Sequence, residues 1–284
     1  MAITVNTNVL SLNAQRNLDI NQASYAKSLE RLSSGLRINR AADDSAGLAI
    51  SERLKAQIRS TGQASRNTLD GVSLIQTAEG SFNETSSILV RLRELAVQSA
   101  NGTLGTTDRD AIKTESDQLV QEISRLANVT KFNGVALLSG NSVSAAVSFS
   151  FQVGTGTTTN DTISVSIQNV KASIFGSGAV DLTALSLTSA SNAVDALTTI
   201  DSAVTNTNTA RAALGAAQNR LDSAGRSLDV IEENLSAANS RIRDVDVASE
   251  TANLTRSNIL QQAGASVLAQ ANQAPQLALS LLGR

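Results

Sequence analysis

Hydrophobic residues recur every three or four positions along most of the chain, and this spacing predicts long helices. The clearest repeat covers about 190–245, where one apolar row recurs every seven residues and a second row follows it by three. The first row consists of Leu214, Leu221, Leu228, Leu235 and Ile242. A second helical pattern covers about 45–100, so each helix would be roughly 80 Å long at about 1.5 Å per residue. Two helices of matching length predict an antiparallel, coiled-coil-like pair.

The apolar spacing changes to every second residue within the segment from about 141 to 175. Val147, Phe149 and Phe151 alternate with small polar residues, and residues 163–167 alternate again after a glycine-containing turn. Alternation of this kind is typical of strands with one buried face. The sequence therefore predicts a mainly α fold, an elongated rod of long coiled-coil-like antiparallel helices with a small inserted β-hairpin region.

Both ends of the chain carry thinner apolar rows with helical spacing. The N-terminal row is Leu18, Tyr25, Leu29, Leu32 and Leu36, and the C-terminal row includes Leu260, Val267, Ala271, Ala274 and Leu281. Neither row has enough bulky side chains for an isolated helix to be stable in water, so each helix needs a partner. We expect the two terminal helices to pair with each other.

Composition removes most catalytic chemistry from consideration. The 284 residues include no Cys, no His and no Trp, one Pro, and 23 basic against 25 acidic residues. Without Cys and His there is no thiolate nucleophile, no triad base and no imidazole-ligated metal, and no cofactor is expected. The near-neutral charge does not predict nucleic-acid binding, and no apolar stretch is long enough to predict a membrane span.

Carboxylate chemistry remains open on composition alone, so an enzyme such as a glycoside hydrolase is the rival class. The adjacent Glu232 and Glu233 would point to different faces of a helix, which argues against a catalytic pair. The N-terminal segment carries no Lys or Arg before Arg16 and no continuous apolar core, so it does not predict a cleaved secretory signal. Taken alone, these features indicate a cytosolic protein.

Three longer motifs are more specific than any periodicity. They are LSSGLRINRAADDSAGLAI at 32–50, RLRELAVQSANG at 91–102, and a C-terminal stretch from SRIRDVD at 240–246 to QANQAPQLALSLL at 270–282. Together they closely resemble bacterial flagellin, the subunit of the flagellar filament, over about 1–180 and 185–284. Longer flagellins insert large outer variable domains, whereas residues 174–178 here pass almost directly into the next helix. We therefore expect those outer domains to be absent.

The resemblance implies how the chain is organised and where it works. Residues 1–44 and 246–284 would form an inner terminal helical domain, the filament core that lines the channel, and residues 45–245 would form the surrounding rod domain with its β-hairpin. The ten residues of the terminal rows would act in self-assembly into a homopolymer of many copies. Flagellins are exported unfolded without a cleaved signal, so the resemblance replaces the cytosolic location with a secreted, extracellular one in the flagellar filament.

Charged residues gather where the terminal helices would join the long helices, at 37–44 and 241–246. Ion pairs between neighbouring copies are one interpretation of these charges. A solvated polar connection is the other, because exposed ion pairs contribute little individually. The sequence leaves both interpretations open.

Further partners follow from the resemblance alone: an export chaperone, the filament cap, hook-junction proteins and a toll-like receptor of an animal host. In flagellins that this receptor senses, an Arg and a Leu on the first long helix and a Glu on the next helix form the contact. They correspond here to Arg91, Leu95 and Glu115. The expected function is that of a structural, non-enzymatic subunit of the flagellar filament that supports swimming motility. The alternative is a hook-filament junction protein.

Overall fold

The computed structural model describes residues 7–140, 146–176 and 180–282, with side chains as far as Gln273. Within these ranges the long helices are α1 (Val9–Ser34), α2 (Ser45–Ser99), α3 (Thr106–Val129), α4 (Ala190–Arg243) and α5 (Val247–Leu282). α2 has 55 residues and α4 has 54, which confirms the predicted mainly α class with two long helices of matching length. The chain divides into two compact units, Met1–Ile58 with Glu233–Arg284, and Arg59–Glu232.

In the first unit, α1 and α5 pack side by side and run antiparallel. α1 begins after Asn8, whose side-chain oxygen accepts a hydrogen bond from the Ser11 amide at 3.1 Å. The Asn8 side chain also donates to the carbonyl of Ala271 at 2.8 Å, while Arg31 near the other end of α1 lies 3.6 Å from Glu250. The structure therefore pairs the two terminal helices, as their thin apolar rows led us to expect.

The connections that leave α1 and enter α5 lie beside each other. Leu36 pairs with Asp244 in an isolated β-bridge. The Arg37 amide donates to the carbonyl of Arg243 at 2.6 Å, and the Arg37 guanidinium donates to the carbonyl of Ile242 at 2.7 Å. Arg37 thus joins the two connections within one chain, without requiring a neighbouring copy.

The carboxylate of Asp43 closes the loop between α1 and α2. Lys27 Nζ lies 2.7 Å from Oδ1, and the amide of Arg40 donates to Oδ2 at 3.1 Å. These hydrogen bonds, that from Lys27 above all, lower the pKa of Asp43 from its ordinary 3.8 to about 2. Because Arg40 also donates to Glu30 at 2.9 Å, charged side chains tie the loop to α1 at two points.

In the second unit, α2 and α4 run antiparallel along one apolar core. Their polar contacts include Ser65 with Asp229 at 3.2 Å, Glu79 with Arg211 at 4.0 Å, and Arg93 with Asp201 at 2.7 Å. Core residues recur on both helices at three- and four-residue steps, including Leu74, Ala78, Phe82, Leu89 and Leu92 of α2 and Ala203, Ala210, Leu214 and Leu221 of α4. The predicted antiparallel pair of long helices is therefore confirmed.

Short strands in antiparallel pairs lie between α3 and α4. They are β1 (Lys131–Phe132), β2 (Val135–Ala136), β3 (Val147–Gln152), β4 (Thr162–Ile167), β5 (Val170–Lys171) and β6 (Ile174–Phe175). β3 and β4 form the predicted hairpin, in which Phe149 pairs with Val165 and the alternating serines face solvent. The two flanking pairs, β1 with β2 and β5 with β6, were not predicted because two-residue strands leave no periodicity. Residues 141–145 of the predicted hairpin region lie outside the described residues.

Candidate assembly surface

The contact between α1 and α5 is built largely from small and polar side chains. In α1 most of the buried and half-buried positions recur every three or four residues, at Ser11, Ala14, Leu18, Asn21, Tyr25, Ser28 and Leu32. In α5 the corresponding positions are Glu250, Leu254, Ser257, Gln261, Gly264, Leu268 and Ala271. This is the spacing of a two-helix coiled coil. Among the described side chains of both helices, only Ser28 and Glu250 are fully buried, so the seam removes little apolar area from water.

Close approach of the two helices depends on the small residues of this seam. Leu18 lies over Gly264, where an added Cβ would come within 3.3 Å of the Leu18 Cδ1 atom. Near the N-terminal end of α1, Ser11 Oγ donates to the side chain of Asn272 at 2.7 Å. Hydrogen bonds of this kind contribute about 1 kcal/mol each. They therefore fix the register in which α1 pairs with α5 more than they stabilise the pair.

Many other large apolar side chains of the same helices are exposed to solvent instead of lying in the seam. Eighteen large apolar residues are exposed in the described part of the chain, and nine of them lie on α1 and α5. We call these nine the outer apolar set: Val9, Leu10, Leu12, Ile20 and Leu29 on α1, and Val247, Ile259, Leu260 and Val267 on α5. Each is 45–65% exposed. Such a concentration of exposed apolar side chains marks an interaction surface.

The ten residues predicted for self-assembly fall into three groups. Five are half-buried in or beside the seam, namely Leu18, Tyr25, Leu32, Leu36 and Ala271. Three belong instead to the outer apolar set, namely Leu29, Leu260 and Val267. The side chains of the last two, Ala274 and Leu281, lie outside the described residues. Each predicted row thus mixes positions that face the partner helix with positions that face solvent.

Sequence reasoning missed six members of the outer apolar set. They are Val9, Leu10, Leu12 and Ile20 of α1, and Val247 and Ile259 of α5. The sequence does contain a signal for these residues. Polar residues such as Ser11, Asn21 and Ser28 recur at helical spacing on one face, so the apolar residues between them must lie on other faces of the helix. A helix that is apolar on more than one face must be buried on more than one face, and a single partner helix covers only one.

Few charges oppose association through α5. From Val247 to Gln273 its charged residues are Glu250 and Arg256. Glu250 is turned into the seam, where it is 7% exposed beside Arg31. The outward faces of α5 are therefore nearly uncharged, and copies of the chain can approach them without strong electrostatic repulsion.

The three residues that correspond to a receptor contact lie in the second unit, but they are not equally accessible. Arg91 donates to Glu115 of α3 at 2.8 Å and to Glu94 at 3.0 Å, and these hydrogen bonds, that to Glu115 first, raise the pKa of Arg91. Both Arg91 and Glu115 are exposed. Leu95 is only 1% exposed and belongs to the apolar core. The structure thus brings the Arg and the Glu together on the surface and buries the Leu in the apolar core.

The described residues form neither a metal-ligand cluster nor a membrane-spanning segment. No group of three or more Asp or Glu in these ranges is placed to hold a metal ion. None of the helices there combines the length and apolar character needed to cross a membrane. What the described structure does present is a pair of terminal helices with large apolar residues on their outer faces. These features define a mainly helical protein whose paired terminal helices leave many large apolar side chains exposed.

Comparison with known families identifies that protein class more closely. Residues 5–143 match the family model of the bacterial flagellin N-terminal helical region, and residues 197–282 match that of the bacterial flagellin C-terminal helical region. The two matches cover α1, α2, α3 and α5 completely and most of α4. The chain belongs to the bacterial flagellin family.

Two curated relatives agree with this assignment over nearly the whole chain. The chain is 48% identical to a flagellin of Halalkalibacterium halodurans over 278 residues, which covers 98% of this chain and 99% of the relative. It is 44% identical to a flagellin of Bacillus subtilis over 303 residues, with the same coverage. The crystal structure of Bacillus cereus flagellin matches 57% of this chain and 88% of its own at 30% identity, with a TM-score of 0.48. Near-complete coverage of the first two relatives fits a short flagellin without outer variable domains.

Proposed function

We infer that this chain is a structural subunit that self-assembles into the extracellular filament of the bacterial flagellum and so supports swimming. Membership of the flagellin family carries the class of function. The exposure of the outer apolar set of α1 and α5 is the observation that supports self-assembly through the termini, because a polymer of many copies would bury this surface. Chemistry at a catalytic site has no part in this function, which resides in the interfaces between copies.

The assembly mechanism couples the order of the termini to contact with other copies. Within one chain, α1 and α5 share a seam of small and polar residues that buries little apolar area. In a filament, the outer apolar set would meet the same helices of neighbouring copies, and its burial would stabilise the terminal pair. We assign this inner role to residues 1–44 and 246–284, and the surrounding role to residues 45–245.

The proposal extends to the partners that the flagellin resemblance implies before and during assembly. An export chaperone would cover exposed apolar helix faces and prevent premature polymerisation. The filament cap and the hook-junction proteins would contact the termini of the first and last subunits, since those subunits lack one neighbouring copy. The outer apolar set supports these assignments because each partner would bind the same exposed residues that neighbouring subunits would cover in the filament.

Removal of residues 246–284 tests the division of roles. The truncated chain loses α5, and with it both the seam and half of the terminal surface, so we expect no filaments. The second unit keeps its buried core, so we expect most helical circular dichroism to persist and the protein to sediment as a soluble monomer. Filaments formed by the truncated chain, or loss of the helical signal of the second unit, would contradict the proposal.

Electron microscopy of the concentrated full chain separates the filament subunit from the hook-filament junction protein. Long filaments are the expected product of a filament subunit, because each added copy presents the same apolar surface to the next one. A junction protein would give short caps or no polymer. The full-length match to flagellins favours the first outcome.

Recognition by a host toll-like receptor is a second proposal, supported by the adjacent exposed Arg91 and Glu115. We expect Arg91→Ala to weaken receptor signalling by the purified monomer, because it removes a surface cation and releases Glu115. Arg125→Ala is the matched control, since Arg125 is an exposed Arg that bonds Glu122 at 2.6 Å on α3. If the unmodified chain, Arg91→Ala and Arg125→Ala all signal equally, Arg91 is not part of the receptor-binding surface. Leu95 is left unchanged in this test because it is buried.

A further inference from the structure

Two Asn-Gly pairs lie on the surface in different backbone conformations. Asn133 and Gly134, with φ of 47° and 81°, form the two-residue turn between β1 and β2, which is type I′ geometry. Asn101 and Gly102 lie in the turn between α2 and α3, and neither has a positive φ. All four residues are exposed. The two pairs therefore share a sequence and an exposure but differ in conformation.

The fold requires glycine at one of these pairs and not at the other. Gly134 has the left-handed conformation that side chains other than glycine rarely adopt. Gly102 has no such conformation, and a Cβ added to it would meet no atom within 4 Å. An alanine would therefore fit at residue 102. What glycine uniquely provides there is a backbone nitrogen with no neighbouring side chain to hinder its reaction.

We propose that Asn101 is a site of spontaneous covalent modification, at which deamidation through a succinimide produces aspartate and isoaspartate. The Gly102 nitrogen attacks Cγ of Asn101, so an N–Cγ bond forms and the Cγ–Nδ2 bond breaks. Nδ2 leaves as ammonia with the proton from the Gly102 amide. The oxygen of water then adds to one ring carbonyl carbon, the bond from that carbon to the ring nitrogen breaks, and a proton from water passes to the nitrogen. Opening at Cγ yields aspartate and opening at the main-chain carbonyl carbon yields isoaspartate, in both cases without oxidation or reduction.

Conformation makes Asn101 the reactive member of the two pairs. Its side-chain oxygen accepts a hydrogen bond from the Thr103 amide at 3.3 Å, which folds the side chain back over the Gly102 peptide. Asn133 is the first central residue of a type I′ turn, whose ψ of about +30° turns Cβ away from the next peptide nitrogen. The succinimide ring needs these two atoms on the same side, so the β1–β2 turn must open before Asn133 can react.

The isoaspartate product alters a turn that Arg109 holds together. The Arg109 guanidinium donates to the carbonyls of Ser99 at 3.0 Å, Asn101 at 2.8 Å and Leu104 at 2.9 Å. In isoaspartate the main chain passes through the former side chain and gains one methylene group. The carbonyl that Arg109 binds at residue 101 is then displaced, whereas the aspartate product leaves the main chain unchanged and adds a negative charge beside Arg109.

Incubation of the purified full chain at mildly alkaline pH, followed by tryptic mass spectrometry, tests the proposal. Residues 94–109 form one tryptic peptide in which Asn101 is the single Asn. We expect this peptide to deamidate well before the peptide that contains Asn133, with both isoaspartate and aspartate present. In urea, where neither turn is held, we expect the two sites to react at similar rates.

Gly102→Ala provides the matched variant, because the structure accommodates its Cβ and circular dichroism can verify the fold. We expect a severalfold slower conversion at Asn101 and an unchanged rate at Asn133. Faster or equal conversion at Asn133 in the folded chain would overturn the proposal. An unchanged rate in Gly102→Ala would do the same, as would the absence of conversion at Asn101 over a period in which the urea-treated chain reacts.

Discussion

The substitution Ile259→Ser tests whether a single side chain of the outer apolar set contributes to polymerisation. Ile259 is 61% exposed in the isolated chain. Full burial of an Ile side chain is worth about 1.5–3 kcal/mol, so the part still exposed can contribute about 1–2 kcal/mol per subunit when a neighbouring copy covers it. Loss of this contribution raises the critical concentration for polymerisation by a factor of about 5–30. Helix propensity does not interfere, because Ile and Ser are similar in a helix interior.

The assay is sedimentation of polymer from monomer across a series of protein concentrations, seeded with short filament fragments. Leu69→Ser is the matched control, since Leu69 is 63% exposed on α2 in the second unit. We expect Ile259→Ser to shift the critical concentration by much more than Leu69→Ser, with both monomers as helical as the unmodified chain. If the two variants polymerise alike, or if Ile259→Ser polymerises like the unmodified chain, the outer apolar set is not the assembly surface.

Two further predictions concern the isolated chain, one for each unit. Leu95→Ala should lower the free energy of unfolding, measured by urea denaturation, by about 2–5 kcal/mol because it leaves a cavity in the core. Val97→Ala is the control and should change the free energy of unfolding little, because Val97 is half-exposed. The pKa of Asp43 is lowered to about 2, so the stabilisation that its carboxylate provides is complete above its ordinary pKa of 3.8 and is lost as the pH falls toward 2. NMR titration of the carboxyl group should give that low midpoint, Lys27→Ala should raise it, and a midpoint near 3.8 in the unmodified chain would contradict the Lys27 contact.

Periodicity alone predicted the long helices because their cores repeat over many turns. Leu214, Leu221 and Leu228 recur at seven-residue steps and are all buried in the structure. Alternation likewise identified β3 and β4, where six-residue strands are long enough to leave a pattern. The two-residue pairs on either side hold their place through tertiary contacts, such as the Leu138 carbonyl that accepts from the Val170 amide at 3.1 Å. Contacts of that range leave no trace in local sequence.

The terminal helices were harder to interpret because two apolar surfaces overlap on one helix. Leu29 and Leu32 are three residues apart and both fit a helical row. Leu29 is nevertheless exposed to solvent, at 50%, whereas Leu32 is more deeply buried and lies in the seam. Sequence spacing cannot distinguish a residue that faces the partner helix from one that faces another copy. The same limit applied to Leu95, whose burial depends on how α2 packs into the core of the second unit.

The distribution of apolar area between seam and outer faces explains why the terminal helices depend on assembly. Nine outward residues at roughly half exposure retain about 1 kcal/mol each, or on the order of 10 kcal/mol per subunit if neighbouring copies cover them. The seam between α1 and α5 has no fully buried apolar side chain among its described residues to match this. If the nine outward residues had been buried in the seam as well, the pair would be stable alone and would present a polar surface to other copies. The large apolar residues of the seam, such as Leu18 and Leu268, are only half-buried and alternate with Ser, Asn and Gln, whereas nine Leu, Ile and Val residues face outward. The free energy that orders the termini therefore comes mainly from contact between chains, and folding of the terminal pair becomes part of polymer growth.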